Sequence, residues 1–171
     1  MNEIQPIGPL TLSSTSDGET SADAAFSAHA GPILINGLGY WRGRCTGAAM
    51  PARRDIQPDE IRHILGNVVM VDVLRDPMDF VERITGSTVQ HHNSRCYTGI
   101  PWREIDTRGP DSEIWNFMRV IVEARTPRYT KIPYVGPHRS FLRAEVLGCP
   151  LSGDDKTQVA KILCFVDYHS L

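Results

Sequence analysis

Gly39-Tyr40-Trp41-Arg42-Gly43-Arg44, followed by Met50-Pro51-Ala52-Arg53-Arg54-Asp55-Ile56-Gln57-Pro58, is the stretch on which the reading of this chain turns. Just upstream, Leu34, Leu38 and Trp41 recur at helical spacing, with Tyr40 beside them, so residues 33–44 are predicted helical. Gly37, Gly39 and Gly43 lower the intrinsic propensity of that segment, and packing must therefore hold it. Downstream, Pro58 suits a first helical position, Ile61, Ile64 and Leu65 share a face, and Gly66 can end a second short helix.

Further along, 68–74 and 80–85 are β-rich runs joined by Arg75-Asp76-Pro77-Met78-Asp79, which predicts an antiparallel pair. Residues 86–109 are broken by Gly, His, Asn and Pro and are expected to form short helical turns. Asp111 or Ser112 can cap a helix to about residue 125, with Ile114, Trp115, Phe117, Met118, Ile121 and Val122 as a broad apolar stripe. Pro127 closes it, and Tyr129–Val135 reads as a peripheral strand interrupted by Pro133. A last hairpin, 140–151 and 158–168, turns at Ser152-Gly153-Asp154-Asp155. In its second strand Ile162, Cys164 and Val166 alternate with Leu163 and Phe165, so both faces are apolar and the strand should be central. These elements alone give an α+β, antiparallel protein.

With 171 residues the chain suffices for one domain with a sizeable core. Residues 1–31 are rich in Ser, Thr, Asp, Gly and Ala without periodicity and read as a disordered tail, leaving 32–171 as the folded domain. A net charge of −2 gives no general pull toward nucleic acid or anionic membranes. Neither a signal peptide nor an apolar run of spanning length is visible, which leads to the expectation of a cytoplasmic protein without a membrane partner. The four cysteines show no Cys-x-x-Cys spacing, and Cys149 and Cys164 lie in apolar runs as buried free thiols.

Tyr40-Trp41, the Met50-Pro51-x-Arg53-x-Asp55-Ile56-x-Pro58 run, Arg83-Ile84-Thr85-Gly86, Thr98-Gly99 and Cys149-Pro150-Leu151-Ser152 follow one another over residues 34–168. This order resembles that of the stand-alone PAS-like proteins common in alphaproteobacteria. The resemblance implies a five-stranded antiparallel sheet with helices on one face and an N-terminal helix over part of the other. It also implies a sensory or interaction module without intrinsic catalysis, working through a small-molecule ligand, a signalling protein partner, or both. Many PAS proteins dimerise through the N-terminal helix, and Leu34, Leu38, Tyr40 and Trp41 are the corresponding candidates for a homodimer interface; burial within one chain is the alternative. The chain departs from the pattern before the Thr98-Gly99 turn, where Ser94 and Cys96 replace a usual glycine and acidic residue.

A pocket of this fold would lie between the sheet and the 111–125 helix. Val71, Ile84, Trp102, Phe117, Met118, Ile121 and Ala144 are its expected lining, with Arg83 or His91 as polar handles. The same residues could instead pack as a solid core, in which case the protein would be a ligand-free adaptor bridging signalling partners.

Other chemistry is thinly supported. His91-His92 with Cys96 is the only compact set of potential ligands, and it lacks zinc-like spacing. The long helix carries no histidine for haem b, and Trp102 stands where a light-sensing flavin domain would carry its cysteine relative to Gly99. No cofactor is therefore assigned. A Cys96 nucleophile with His91 or His92 as base and Asp106 as orienter is the remote enzymatic alternative.

Overall fold

The computed structural model describes residues 4–6, 26–132, 142–154 and 157–170. Its sheet is built from β2 (Val68–Leu74), β3 (Asp79–Thr85), β4 (Arg128–Ile132), β5 (Leu142–Ser152) and β6 (Val159–Ser170), in the spatial order β4-β5-β6-β2-β3. All neighbours are antiparallel. A two-residue strand, β1 (Gln5–Pro6), adds to the free edge of β4.

As its two apolar faces require, β6 is central, hydrogen-bonded to β5 from Leu142↔Ser170 to Ser152↔Val159 and to β2 from Val68↔Phe165 to Asp72↔Lys161. Each face has its own helix. On one, α1 (Pro32–Gly43) lies across β5 and β6, with Gly37 directly against the Phe165 ring. On the other, α3 (Glu113–Ala124) places Phe117 and Ile121 against Gly148 of β5. Between β3 and α3 run α2 (Ser87–His92) and a 3-10 turn at Trp102–Glu104.

Local chemistry explains the boundaries. The Ser112 hydroxyl accepts the Trp115 backbone N–H at 3.2 Å as the N-cap of α3, and Arg125 ends the helix in the left-handed conformation at φ 56°. The short helix expected from Pro58 resolves into separate 3-10 turns, Pro58–Ile61 and Leu65–Asn67, because so few residues cannot nucleate a full α-helix without longer packing.

Part of the segment read as a tail is described. Gln5 and Pro6 pair with Tyr129 and Arg128, and buried Phe26 meets Tyr129 edge-on with ring centroids 5.3 Å apart. An open strand edge and one large apolar side chain are sufficient reason for these contacts. The rest of that expectation, and the continuation of the peripheral strand past Ile132, lie outside the described residues.

The motif stretch and the last hairpin interlock. Trp41 Nε1 donates to the Pro150 carbonyl at 2.8 Å, and the Pro51 carbonyl accepts the Ser152 N–H at 2.9 Å. Tyr40 Oη both accepts the Gln57 N–H (2.7 Å) and donates to the Gln57 carbonyl (3.2 Å), while Asp55 Oδ2 accepts the Ala52 N–H at 2.9 Å. Arg53 donates to the Ile56 carbonyl at 3.2 Å.

Leu34, Leu38 and Trp41 are buried within this chain, and half-buried Tyr40 is bonded to Gln57. Within one chain the apolar stripe of α1 thus faces its own sheet, the alternative to the intersubunit surface expected of these residues. Ile35, on the outer side of α1, is 40% exposed.

Two expectations follow. A Cβ on Gly37 would lie 2.5 Å from the Phe165 ring, whereas one on Gly39 meets nothing within 4 Å. Gly37→Ala should therefore destabilise the domain by about 1–3 kcal/mol in urea unfolding, and Gly39→Ala should stabilise it by up to about 1 kcal/mol. Equal effects would refute this packing of α1.

The second concerns Asp72 of β2, which holds Arg83 of β3 at 2.6 Å and also pairs with Lys161 of β6. Burial pushes the Asp72 carboxyl up, but hydrogen bonds and charge from Lys161 and Arg83 outweigh it and hold the group below its usual range. The resulting stabilisation is present above the carboxyl's unfolded value, near pH 4, and fades as pH falls through the lower folded value. Wild type should exceed Asp72→Asn in stability at pH 6, and the gap should close on acidification below about pH 4. A gap independent of pH would refute the ion-pair origin.

Candidate functional site

A cavity of about 280 Å³ opens between the sheet and α3. Val69 and Val71 of β2, Ala144 and Val146 of β5 and Cys164 and Val166 of β6 form its floor. Ile114 and Met118 of α3, one helical turn apart, form the roof, and Val89 of α2 and Trp102 close the side. The lining is mainly apolar, with a polar group at the α2 side.

Central to that group is Glu82 of β3, only 2% exposed and ion-paired with Arg108. Glu82 also accepts from the Thr85 hydroxyl at 3.0 Å, and its backbone carbonyl accepts the Gly99 N–H at 2.8 Å. The Arg108 guanidinium lies over the rings of Tyr97 (4.4 Å to centroid) and Trp102 (5.2 Å). His92 and Tyr168 stack 4.0 Å apart and nearly parallel at the rim, with His92 Nδ1 2.8 Å from the Thr88 carbonyl. Trp102 Nε1 and Asn93 Nδ2 are buried without a hydrogen-bond partner among the described residues.

Of the nine expected lining residues, Val71, Trp102, Met118 and Ala144 are brought together here. Phe117 and Ile121 are buried but face β5, where Gly148 leaves them room, so they fill the core beside the cavity. A register shift between Met70 and Val71 explains the next two. Met70 pairs with Ile84 and Val71 with Glu82, so Arg83 is an extra residue and Ile84 turns to the α1 side of the sheet, 42% exposed. Arg83 accordingly pairs with Asp72 and does not reach the cavity. His91 is exposed, and it is the next residue, His92, that α2 turns inward with Val89.

Glu82, Arg108, Asn93, Tyr97 and Tyr168 were not anticipated. Glu82 alternates inward with Phe80 of β3, a pattern that could have marked it, but nothing local identifies Arg108, 26 residues away, as its partner. Of the enzymatic candidates, Cys96 is exposed and outside the cavity lining, as is Asp106. Burial raises the Cys164 thiol, and likewise Cys45 to about 11, so the thiol that does line the cavity is a poor nucleophile. Among the described residues no three His, Cys, Asp or Glu side chains cluster as metal ligands, and no helix is long and apolar enough to cross a membrane.

Removing one partner of a buried ion pair leaves the other charge uncompensated. Glu82→Ala should therefore cost about 3 kcal/mol in urea unfolding, and Glu82→Leu/Arg108→Met should recover most of that loss. A double variant no more stable than Glu82→Ala would refute the coupling.

No curated protein and no solved structure gives a significant match to the chain. A family model described as PAS domain, by contrast, matches residues 32–165. That span runs from the first residue of α1 to the centre of β6 and so contains both helical layers, the cavity side chains Glu82, Trp102 and Arg108, and most of the sheet. The chain belongs to the PAS domain family, a family of sensory and signalling modules.

Proposed function

We propose that this PAS domain is a non-catalytic cytoplasmic sensor that binds a small molecule between the sheet and α3. The cavity carries this reading: it is concave, mainly apolar and furnished with a few convergent polar groups, the usual composition of a ligand site. Its roof and sides belong to α2, α3 and the Trp102 turn, whose packing a ligand would bias, while its floor is the sheet. A ligand changes that equilibrium only by binding one arrangement more tightly than another. A further copy of this chain or a signalling protein partner is the recipient this reading expects. A homodimer would use the outer side of α1 at Ile35, since the inner side is occupied. The order of the Tyr40-Trp41, Met50–Pro58 and Cys149–Ser152 motifs supports kinship with the alphaproteobacterial stand-alone PAS proteins.

A ligand-free adaptor is the second reading, favoured by Glu82 and Arg108, which satisfy each other without a ligand. Native and denaturing mass spectra of protein isolated from its own cells separate the two. The sensor reading expects an excess mass under native conditions that disappears on denaturation and is absent from a cooperatively folded Ala144→Phe variant, whose ring fills the cavity. For wild type and variant alike, a native mass equal to the protein's own denatured mass, with no excess in either, would favour the adaptor.

A further inference from the structure

The cavity also constrains the chemistry of what it holds, an inference that rests on the sensor reading. Its buried charge is already balanced: Glu82 is paired with Arg108, which is in turn covered by the Tyr97 and Trp102 rings. Glu113 and His92 also line the cavity, Glu113 exposed, but in its buried part a charged ligand would give up its hydration without meeting an uncompensated opposite charge, so that part favours a neutral molecule. Its hydrogen bonding, in contrast, is not balanced. Trp102 lines the cavity, is 1% exposed, and has an Nε1–H without an acceptor among the described residues; Asn93 Nδ2, also in the lining, has none either. An indole nitrogen only donates, so what is wanting is an acceptor. Buried donors left unmade are costly, and an acceptor that meets one recovers that cost. The volume, about 280 Å³, is nearly twice the ~150 Å³ apolar cavity that holds a single benzene ring.

We propose that the site takes an uncharged, two-ring-sized apolar molecule bearing a carbonyl-type acceptor, received by Trp102 Nε1 once a small turn of the ring uncovers this buried donor to the cavity, with Asn93 Nδ2 as a second unpartnered donor in the lining. Its apolar body rests on Val71, Met118 and Val146.

Three matched probes test this on the full chain: 2-acetylnaphthalene, 2-isopropylnaphthalene with the same shape but no acceptor, and 2-naphthoate with a charge. Binding is followed by titration of the tryptophan indole ¹H–¹⁵N resonances. The ketone should bind about tenfold more tightly than the hydrocarbon, with the naphthoate weakest, and only the ketone should shift the Trp102 indole resonance downfield. In Trp102→Phe, which keeps a ring but loses the N–H, the preference for the ketone should largely vanish. If that variant does not fold, the spectra of Trp41→Phe and Trp115→Phe identify the Trp102 signal in wild type by elimination, and its shift decides alone. Equal binding of hydrocarbon and ketone, or tightest binding of the naphthoate, would overturn the assignment while leaving a ligand cavity in place. Binding of none of the three would overturn it together with the sensor reading.

Discussion

The hydrogen bond from Trp41 Nε1 to the Pro150 carbonyl ties the two ends of this fold together across 109 residues. Its donor comes from the inner side of α1 and its acceptor from the end of β5. Beside it, the Pro51 carbonyl takes the Ser152 N–H and Ala52 bridges Ser152, so the loop after α1 is pinned to the same strand end. A glycine-rich helix could not hold its place by propensity; Gly37 makes close approach to Phe165 possible, and the indole fixes where α1 stops sliding. With α1 in place, the side of β6 that carries Phe165 is covered, and the strand can be apolar on both faces.

The motifs that carry the sequence resemblance are thereby given structural work. Tyr40-Trp41, Met50–Pro58 and Cys149–Ser152 meet one another, and none of them reaches the cavity lining. Side chains of these motifs secure α1 to the hairpin, while the polar side chains of the cavity come chiefly from residues 82–113. Membership therefore specifies a scaffold with room for a site, and says little about what fills it.

This division also explains what was legible beforehand. The central position of β6, the capped α3 helix and the β2–β3 pair depend on periodicity and capping, signals that are local and repeated along many residues. Cavity lining depends instead on which way single side chains turn. One bulged residue, Arg83, was enough to move Ile84 to the other face, and a one-position error on a six-residue helix exchanged His91 for His92. Phe117 and Ile121 belong to the apolar stripe of α3 as expected, but Gly148, distant in sequence, decides that they fill space and do not border it. The Glu82–Arg108 pair joins a strand to an irregular segment and has no sequence period at all.

Both helical layers rest on the same strand. Cys164 and Val166 of β6 border the cavity, while Phe165 between them presses on Gly37 of α1. A ligand that altered the seating of β6 would meet a contact on the far side with no slack, because close-packed neighbours cannot absorb a displacement without moving. β6 is thus the short physical path from the cavity to α1, whose outer side carries exposed Ile35. Coupling along it requires that α1 have a second arrangement close in energy. The low helix propensity of its three glycines, which makes α1 depend on packing, is the property that would keep such an arrangement within reach.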